Sequence, residues 1–178
     1  MTAGSPIEIS WCSDANEAPK LGRFFADNIT SAYISHSELQ GPRARDASHW
    51  SPGLLETLTH ELEERIRPVR ENIATTENIQ PVFAARRMGD LIGLGLVSFF
   101  PRAPVPYAIL EDLVVAMKER NLGIGKQLLD WVMREAKSHG CVRVFLESGV
   151  QNHRAHEFFE REGFSVCSVV MMKGIGST

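Results

Sequence analysis

One stretch of the sequence, a strand-like run that leads through a two-glycine turn into an amphipathic helix, constrains the fold more than any other. The apolar run that begins at Leu113 ends shortly before the turn, and Gly123 and Gly125 then open the helix, which continues to about His139. Apolar residues recur at helical spacing along it, at Ile124, Leu128, Val132 and Ala136. This order of strand, turn and helix is typical of a β-α-β unit.

The start of this helix is suited to bind an anion. A helix N-terminus leaves backbone N–H groups without partners and carries partial positive charge. Glycine there lets the backbone approach a phosphate or pyrophosphate closely. Arg120 and Lys126 add positive side chains on either side of the turn.

Two common phosphate-binding motifs do not fit the turn. A P-loop needs glycine where this chain has Arg120, and a hydroxyl residue where it has Gln127. The dinucleotide fingerprint needs a third glycine at position 128, which is leucine. Both kinds of nucleotide site are therefore excluded.

The rest of the pattern predicts one α+β domain that spans residues 1–178. Its length suits a single buried core, and no stretch of the sequence resembles a linker. Residues 41–52 are predicted to be a loop, and Gly89-Asp90 is predicted to turn a hairpin. The predicted elements are a strand at 7–12, helices at about 19–34 and 52–68, strands at 81–88, 91–100 and 107–115, a helix at 123–139, a strand at 142–146, a helix at 153–162 and a final strand at 164–172.

Charge and cysteine content exclude several functional classes. A net charge of −3 gives no basic surface for nucleic acid, and the longest apolar stretch, 91–100, is too short to span a membrane. Three cysteines without metal-like spacing predict neither a metal site nor a disulfide framework, and they favour a cytoplasmic location. On the helix at 52–68, Glu61 with Arg65 and Glu63 with Arg67 are predicted to pair on a solvated face.

Two short motifs flank the predicted strand at 142–146. The first is Arg120-Asn-Leu-Gly-Ile-Gly125, and the second is Asn152-His-Arg-Ala-His-Glu-Phe-Phe-Glu-Arg-Glu-Gly-Phe164. They resemble the coenzyme A loop and the second signature of the GNAT superfamily of acyl-CoA-dependent N-acetyltransferases. The resemblance covers about residues 82–172. It implies a central mixed, mostly antiparallel twisted sheet flanked by helices, with splayed strands that hold the cofactor.

The resemblance also implies acetyl-coenzyme A as co-substrate and no metal. In the family, backbone amides of the glycine loop bind the pyrophosphate, and the preceding strand pairs with the pantetheine arm. An asparagine holds the far end of that arm, and a strand amide stabilises the oxyanion. Carried over to this chain, the cofactor-binding residues are Leu113, Val114, Val115, Arg120, Asn121, Leu122, Gly123, Ile124, Gly125, Lys126, Asn152 and Phe159.

Two adjacent acids, Glu111 and Asp112, are the candidate catalytic residues. Because amines are mostly protonated at neutral pH, acetyl transfer needs a group that takes the proton. Neighbouring strand residues point to opposite faces, so we expect only one of the two acids to face the acceptor. Leu110-Glu111-Asp112 resembles a run in diamine acetyltransferases whose glutamate is the proposed base, which favours Glu111. The alternative is that both acids only fix the strand end or pair with an arginine.

The general acid is a separate question. Many family members have tyrosine, which protonates the departing sulfur, where this chain has Phe159, and phenylalanine donates no proton. His156 and Tyr107 are the alternative donors. Thiolate can also leave unassisted, and we favour that route.

The predicted activity is transfer of acetyl from acetyl-coenzyme A to a primary amine of a small molecule, such as a polyamine, an amino sugar or an amino acid derivative. The acids at 111 and 112 favour a cationic amine, and helices within residues 19–68 are expected to shape the acceptor site. One alternative is acetylation of protein N-termini or lysines. Another, prompted by Phe159, is a non-catalytic acyl-CoA-binding module. A homodimer is left open, and neither nucleic acid nor membrane is expected as a partner.

Overall fold

The central feature of the fold is a five-stranded sheet with helices on both faces. The computed structural model describes residues 5–67 and 80–176. Its elements are β1 (Ile7–Trp11), α1 (Ala18–Asp27), α2 (His36–Gln40), β2 (Ala44–Asp46), β3 (His49–Trp50), α3 (Leu54–Ile66), β4 (Val82–Arg87), β5 (Asp90–Phe100), β6 (Tyr107–Val115), α4 (Ile124–Ser138), β7 (Arg143–Leu146) and α5 (His153–Arg161).

The sheet is mixed and mostly antiparallel, as the sequence predicts. Its strand order is β1-β4-β5-β6-β7, in which only the β6–β7 pair is parallel. Helix α4 forms the crossover between these two strands, which makes the predicted β-α-β unit.

Two apolar layers cover the two faces of the sheet. On one face α1 and α3 pack through residues such as Leu21, Leu58 and Leu62. On the other face α4 packs through the predicted stripe, of which Leu128 and Val132 are fully buried. None of the helices in the described ranges is long and apolar enough to cross a membrane.

A β-bulge interrupts β6 at Glu111. In the backbone register with β5, Leu96 is opposite Asp112, and the next residue, Val97, is opposite Leu110. No β5 residue is therefore paired in register with Glu111. Leu110 packs in the α4 layer, whereas Val114 packs in the α1–α3 layer. A bulge of this kind changes the direction of the side chains beside it.

The N-terminal helical region differs from the prediction. The helix predicted at 19–34 ends at Asp27, because Asn28 turns out of helical geometry and its side chain donates to the Phe24 carbonyl at 2.8 Å. A single 3-10 turn, Ser31–Tyr33, and the short α2 follow. The predicted loop at 41–52 contains the β2–β3 hairpin, whose turn is held by Asp46 accepting from the Ser48 amide at 2.9 Å.

The C-terminal prediction is wrong. Residues 164–172 form no strand, and from Ser165 to Gly176 every residue is exposed to solvent. The segment has strand-forming residues, but it pairs with no strand in the described part of the chain, so its backbone forms no ladder. The end of the helix predicted to reach Pro68 lies outside the described residues.

Candidate active site

A cavity of about 800 Å³ opens where β6 and β7 separate. The two strands pair only as far as Leu110 and Leu146, so among the described residues no strand pairs with β6 on that side beyond the bulge. The predicted splayed strands are therefore present. The cavity is lined by parts of the segments 28–38, 110–115, 119–126 and 146–162.

The glycine turn forms one end of the cavity. Gly123 has a φ of +77°, a left-handed conformation that favours glycine, and it precedes the first residue of α4. No side chain among the described residues caps this helix, and its first turn closes with the Gln127 amide bonding to the Gly123 carbonyl. The amides of Ile124, Gly125 and Lys126 come before that bond, as an anion site requires.

The two predicted cations of the turn bind protein groups. The Arg120 guanidinium donates to the backbone carbonyls of Asn28 and Val115, which holds the turn against the end of α1. Lys126 pairs with Glu162 at 2.7 Å and with Asp130 at 3.2 Å, and the hydrogen bond to Glu162 raises the pKa of the lysine.

Two further cations at this end of the cavity were missed from the sequence. They are Arg154 and Arg161, and both lie at variable positions of the second motif. Both belong to α5, and the helix brings them to the cavity wall.

The predicted cofactor residues all line this cavity except Leu122. The Leu122 side chain is exposed, and it is absent from the cavity wall that the described residues form.

Asn152 and Phe159 line the opposite wall. Asn152 precedes α5, and its side-chain amide makes no hydrogen bond to any described residue. The Phe159 ring packs against Phe158 and Phe164, with ring centroids 5.1 and 5.7 Å apart. The wall therefore presents one polar side chain and one apolar ring.

Glu111 and Asp112 lie on the same side of the sheet, so the expectation of opposite faces is wrong. Glu111 contacts Arg65 of α3, and Asp112 contacts Tyr33, which packs in the α1–α3 layer. The bulge inserts one residue and so cancels the normal alternation between the two acids. Tyr33, which no sequence motif indicated, binds Asp112 and lines the cavity.

Asp112 is held in a buried network. Its side chain is 2 % exposed, and it accepts from Arg43 at 3.0 and 3.2 Å and from the Tyr33 hydroxyl at 2.8 Å. Arg43 also donates to Glu61 at 2.6 Å, so the predicted Glu61–Arg65 pair does not form. Burial and the neighbouring Asp112 charge raise the pKa of Tyr33 well above its usual value.

Glu111, in contrast, faces the cavity. Its side chain is 28 % exposed and makes short contacts with Arg65 of α3 and with Ser98 of β5. Arg65 thus crosses to the strand, while the other predicted helix pair, Glu63 with Arg67, forms at 2.6 Å. The pattern of α3 predicted a solvated charged face, and it could not show that Arg65 turns inward.

Neither alternative acid lines this cavity. The Tyr107 ring stacks on Phe100, with centroids 4.6 Å apart, at the beginning of β6. His156 lies on α5 with its ring 6.1 Å from that of His153, and it is His153 that reaches the cavity wall. Phe159 occupies the wall without a proton to donate.

The cavity lining carries both signs of charge. Its basic residues, Arg120, Lys126, Arg154 and Arg161, belong to the glycine turn, α4 and α5, where Glu119 and Glu162 also line the cavity. The other lining acids, Glu38, Glu111 and Glu147, belong to α2, the bulge and the residue after β7. One of these acids, Glu147, makes a short contact with His36 of α2. Among the described residues, no cluster of His, Cys, Asp and Glu could hold a metal ion.

Comparison with known proteins gives one family. A model described as "Acetyltransferase (GNAT) family" matches residues 47–164. A glucosamine 6-phosphate N-acetyltransferase of Arabidopsis thaliana is 36% identical over 64 residues, which is 36% of this chain and 41% of that protein. An aminoalkylphosphonate N-acetyltransferase of Salmonella typhimurium is 36% identical over 84 residues, 45% of this chain and 53% of that one. The match thus spans about half the length of these curated relatives.

Solved structures share the fold over nearly the whole chain. An aminoglycoside N-acetyltransferase in complex with CoA has a TM-score of 0.65 and 16% identity, with 98% of this chain and 97% of that chain covered. An aminoglycoside acetyltransferase from a soil metagenomic sample, in complex with sisomicin, has a TM-score of 0.60 and 18% identity, with 97% of both chains covered.

Proposed function

Because the chain belongs to the GNAT family of acetyltransferases, we propose that it transfers an acetyl group from acetyl-coenzyme A to the primary amine of a small molecule. The observation that carries the proposal is one cavity whose ends differ. Uncapped first-turn amides of α4 lie at one end, and the partly exposed carboxylate of Glu111 lies at the other.

The α4 end has the chemistry that a pyrophosphate needs. The amides of Ile124, Gly125 and Lys126 would hold it, with Arg154 and Arg161 supplying positive charge nearby. The edge of β6 from Leu113 to Val115, which pairs with no strand on that side, would hold the pantetheine arm, with Asn152 also on the cavity wall. The Leu113 amide now donates to the Tyr33 hydroxyl at 3.2 Å, so the arm would have to share or replace that bond. The remaining residues assigned to this role are Arg120, Asn121, Gly123 and Phe159; Leu122 has no support from the cavity.

Glu111 is the proposed base. The co-substrate supplies a thioester carbonyl, which only an uncharged amine attacks. Glu111 would accept the amine proton within the cavity, while Arg65 and Ser98 fix its carboxylate. Asp112 is committed to Arg43 and Tyr33, and we assign it a positioning role.

The acceptor is proposed to be a cationic small amine. Glu111 and Glu147 line the cavity with partly exposed carboxylates, which would attract an ammonium group. The relatives named for glucosamine 6-phosphate and aminoalkylphosphonate, and the neighbour that binds sisomicin, are proteins that take amines of small molecules.

An amine panel tests the proposal. Release of free coenzyme A thiol is measured with polyamines, amino sugars, amino acid amides, and peptides with a free N-terminus or lysine. We expect release with at least one small amine and much less with the peptides. Preference for peptides would move the activity to protein acetylation, and tight acetyl-coenzyme A binding without release for any amine would support a non-catalytic binding module.

A matched pair of glycine substitutions tests the cofactor site. Gly123 and Gly140 have φ of +77° and +76° and flank opposite ends of α4, and an added Cβ meets no atom within 4 Å at either position. Gly123→Leu and Gly140→Leu should therefore lower the melting temperature by similar amounts. Only Gly123→Leu should abolish the rise in melting temperature that acetyl-coenzyme A gives by mass action.

ATP and NAD are the ligand controls for this pair, and neither should raise the melting temperature of the unmodified protein. The cofactor assignment is overturned if Gly123→Leu keeps the full acetyl-coenzyme A shift. It is also overturned if ATP stabilises the protein equally.

Substitutions on α5 test the missing acid. His156→Ala should change turnover less than twofold, because His156 does not line the cavity among the described residues. Phe159→Tyr should be tolerated in volume and would raise turnover if protonation of the leaving thiolate limits the rate. A loss on the order of a hundredfold in His156→Ala, with intact acetyl-coenzyme A binding, would show that His156 is the acid.

A further inference from the structure

One backbone donor on the free edge of β6 is bound by a side chain from the other end of the chain. The Leu113 amide donates to the Tyr33 hydroxyl at 3.2 Å, although the two residues are 80 positions apart in the sequence. Both residues line the cavity. Acetyl transfer at this edge needs a donor for the thioester carbonyl, so the same amide has two possible hydrogen-bond acceptors.

The Leu113 amide is also the free-edge donor nearest to Glu111. Successive residues of an antiparallel strand direct their backbone N–H groups to alternate sides. The Ala116 amide donates to Ile92 of β5. By this alternation the amides of Leu113 and Val115 point to the other side, away from β5. Val115 lies two residues further on, about 7 Å along the strand, so a carbonyl that is attacked beside Glu111 is bound best at Leu113.

Tyr33 is held by stronger partners than this amide. Its ring is edge-on to Phe25, with centroids 5.7 Å apart, and 6.4 Å from the ring of Trp50. Its hydroxyl donates to the Asp112 carboxylate at 2.8 Å, and a hydrogen bond to a charged group is stronger than one between neutral groups. Because the pKa of Tyr33 is raised, this proton stays on the hydroxyl, and only a lone pair faces the Leu113 amide. Tyr33 can therefore give up the amide and keep its bond to Asp112.

We propose that Tyr33 holds the Leu113 amide while no acyl group is bound, and that the thioester carbonyl of acetyl-coenzyme A takes its place. Tyr33 is a positioning residue, since it acts through the amide. This inference rests on the proposed function, because it assigns one atom of the co-substrate to one amide of the cavity. Free coenzyme A has no carbonyl at its sulfur, so the amide returns to Tyr33 after transfer.

The exchange has a consequence for affinity. Acetyl-coenzyme A breaks one hydrogen bond of the Leu113 amide and forms another, so in the unmodified protein the carbonyl contributes little to net binding. In Tyr33→Phe the amide loses its internal partner, and the carbonyl should then contribute the value of one hydrogen bond. S-ethyl-coenzyme A, a thioether in which a methylene group replaces the carbonyl, is the matched ligand control.

Dissociation constants of the two ligands, measured by titration calorimetry without an acceptor amine, test the proposal. The unmodified protein should bind both ligands within about twofold of each other. In Tyr33→Phe, acetyl-coenzyme A should bind about fivefold to tenfold more tightly than S-ethyl-coenzyme A. General loosening of the site through the lost bond to Asp112 would instead weaken both ligands alike.

Thr30→Val is the matched protein control. Thr30 lines the same cavity, and its hydroxyl makes no capping bond to the 3-10 turn that contains Tyr33. The substitution removes a hydroxyl from the cavity wall without touching the Leu113 amide. It should keep the ligand ratio of the unmodified protein.

A direct measurement on the Leu113 amide keeps the test decisive if Tyr33→Phe does not fold. In isotopically labelled unmodified protein, acetyl-coenzyme A should shift the amide resonance of Leu113 further than S-ethyl-coenzyme A does, because only the thioester replaces Tyr33. An unchanged ligand ratio in Tyr33→Phe, or equal shifts with both ligands, overturns the inference and leaves the proposed function standing. If the unmodified protein binds neither ligand, the proposed cofactor site fails, and the inference fails with it.

Discussion

Replacing Glu111 with glutamine is expected to lower turnover by on the order of a hundredfold or more at neutral pH, with acetyl-coenzyme A binding nearly unchanged. Glutamine keeps the size of the side chain and its contact with Ser98, but it does not accept the amine proton. The loss should shrink as the pH rises, because more of the amine is then uncharged without help. Steady-state rates across pH, with cofactor binding measured separately, check this result.

Glu147→Gln is the control for this experiment. Glu147 lines the same cavity and contacts His36, but it has no proposed role in proton transfer. The Glu147→Gln substitution should change the Michaelis constant for a cationic amine more than it changes turnover. If Glu111→Gln keeps normal turnover at every pH, Glu111 is not the base.

Replacing Asp112 with alanine is expected to destabilise the protein by about 3–5 kcal/mol, the cost of removing one partner of a buried ion pair. Arg43 and Tyr33 would be left buried without this acceptor, although Glu61 still binds the guanidinium. Denaturant unfolding measures the loss. Glu64→Ala removes an exposed acid that pairs with Arg67 on the surface of α3, and this control should leave stability almost unchanged.

The two acids should therefore separate by phenotype. Glu111→Gln is expected to lose turnover and to lose less stability than Asp112→Asn, because the Glu111 side chain is partly exposed and glutamine still accepts from Arg65. Asp112→Asn, which keeps the shape of the side chain, is expected to lose stability and to retain turnover in the folded fraction. If Asp112→Asn keeps full stability and loses turnover while Glu111→Gln retains it, the base is Asp112.

Much of the fold could be predicted because its signals are local. The four-residue apolar repeat predicted α3, and the glycines at 123 and 140 marked both ends of α4. The limits of β6 agree with the prediction, because a proline-rich turn precedes the strand. The glycine turn and the wall formed by Asn152 and Phe159 come together as the two motifs imply.

The geometry of the acids could not be predicted, because it depends on partners far away in the chain. Arg65 reaches Glu111 across 46 residues, and Arg43 reaches Asp112 across 69. A helical pattern shows which residues share a face, but it does not show which charged residue at the edge of that face turns towards the sheet. The strand predicted at 164–172 does not form for a related reason: strand propensity is local, whereas a strand needs a neighbouring strand to pair with.

The bulge in β6 also determines where this strand can change in length. Since Glu111 has no partner on β5, an in-frame loss of its codon would leave Leu110 and Asp112 adjacent, opposite Val97 and Leu96 as they are now. Loss of any single residue between Asp112 and Val115 would instead turn the following side chains to the wrong layer. Glu111, the candidate base, is thus the residue whose deletion would keep the pairing of β6 with β5 in register. A single deletion there could therefore produce a protein that folds and is inactive.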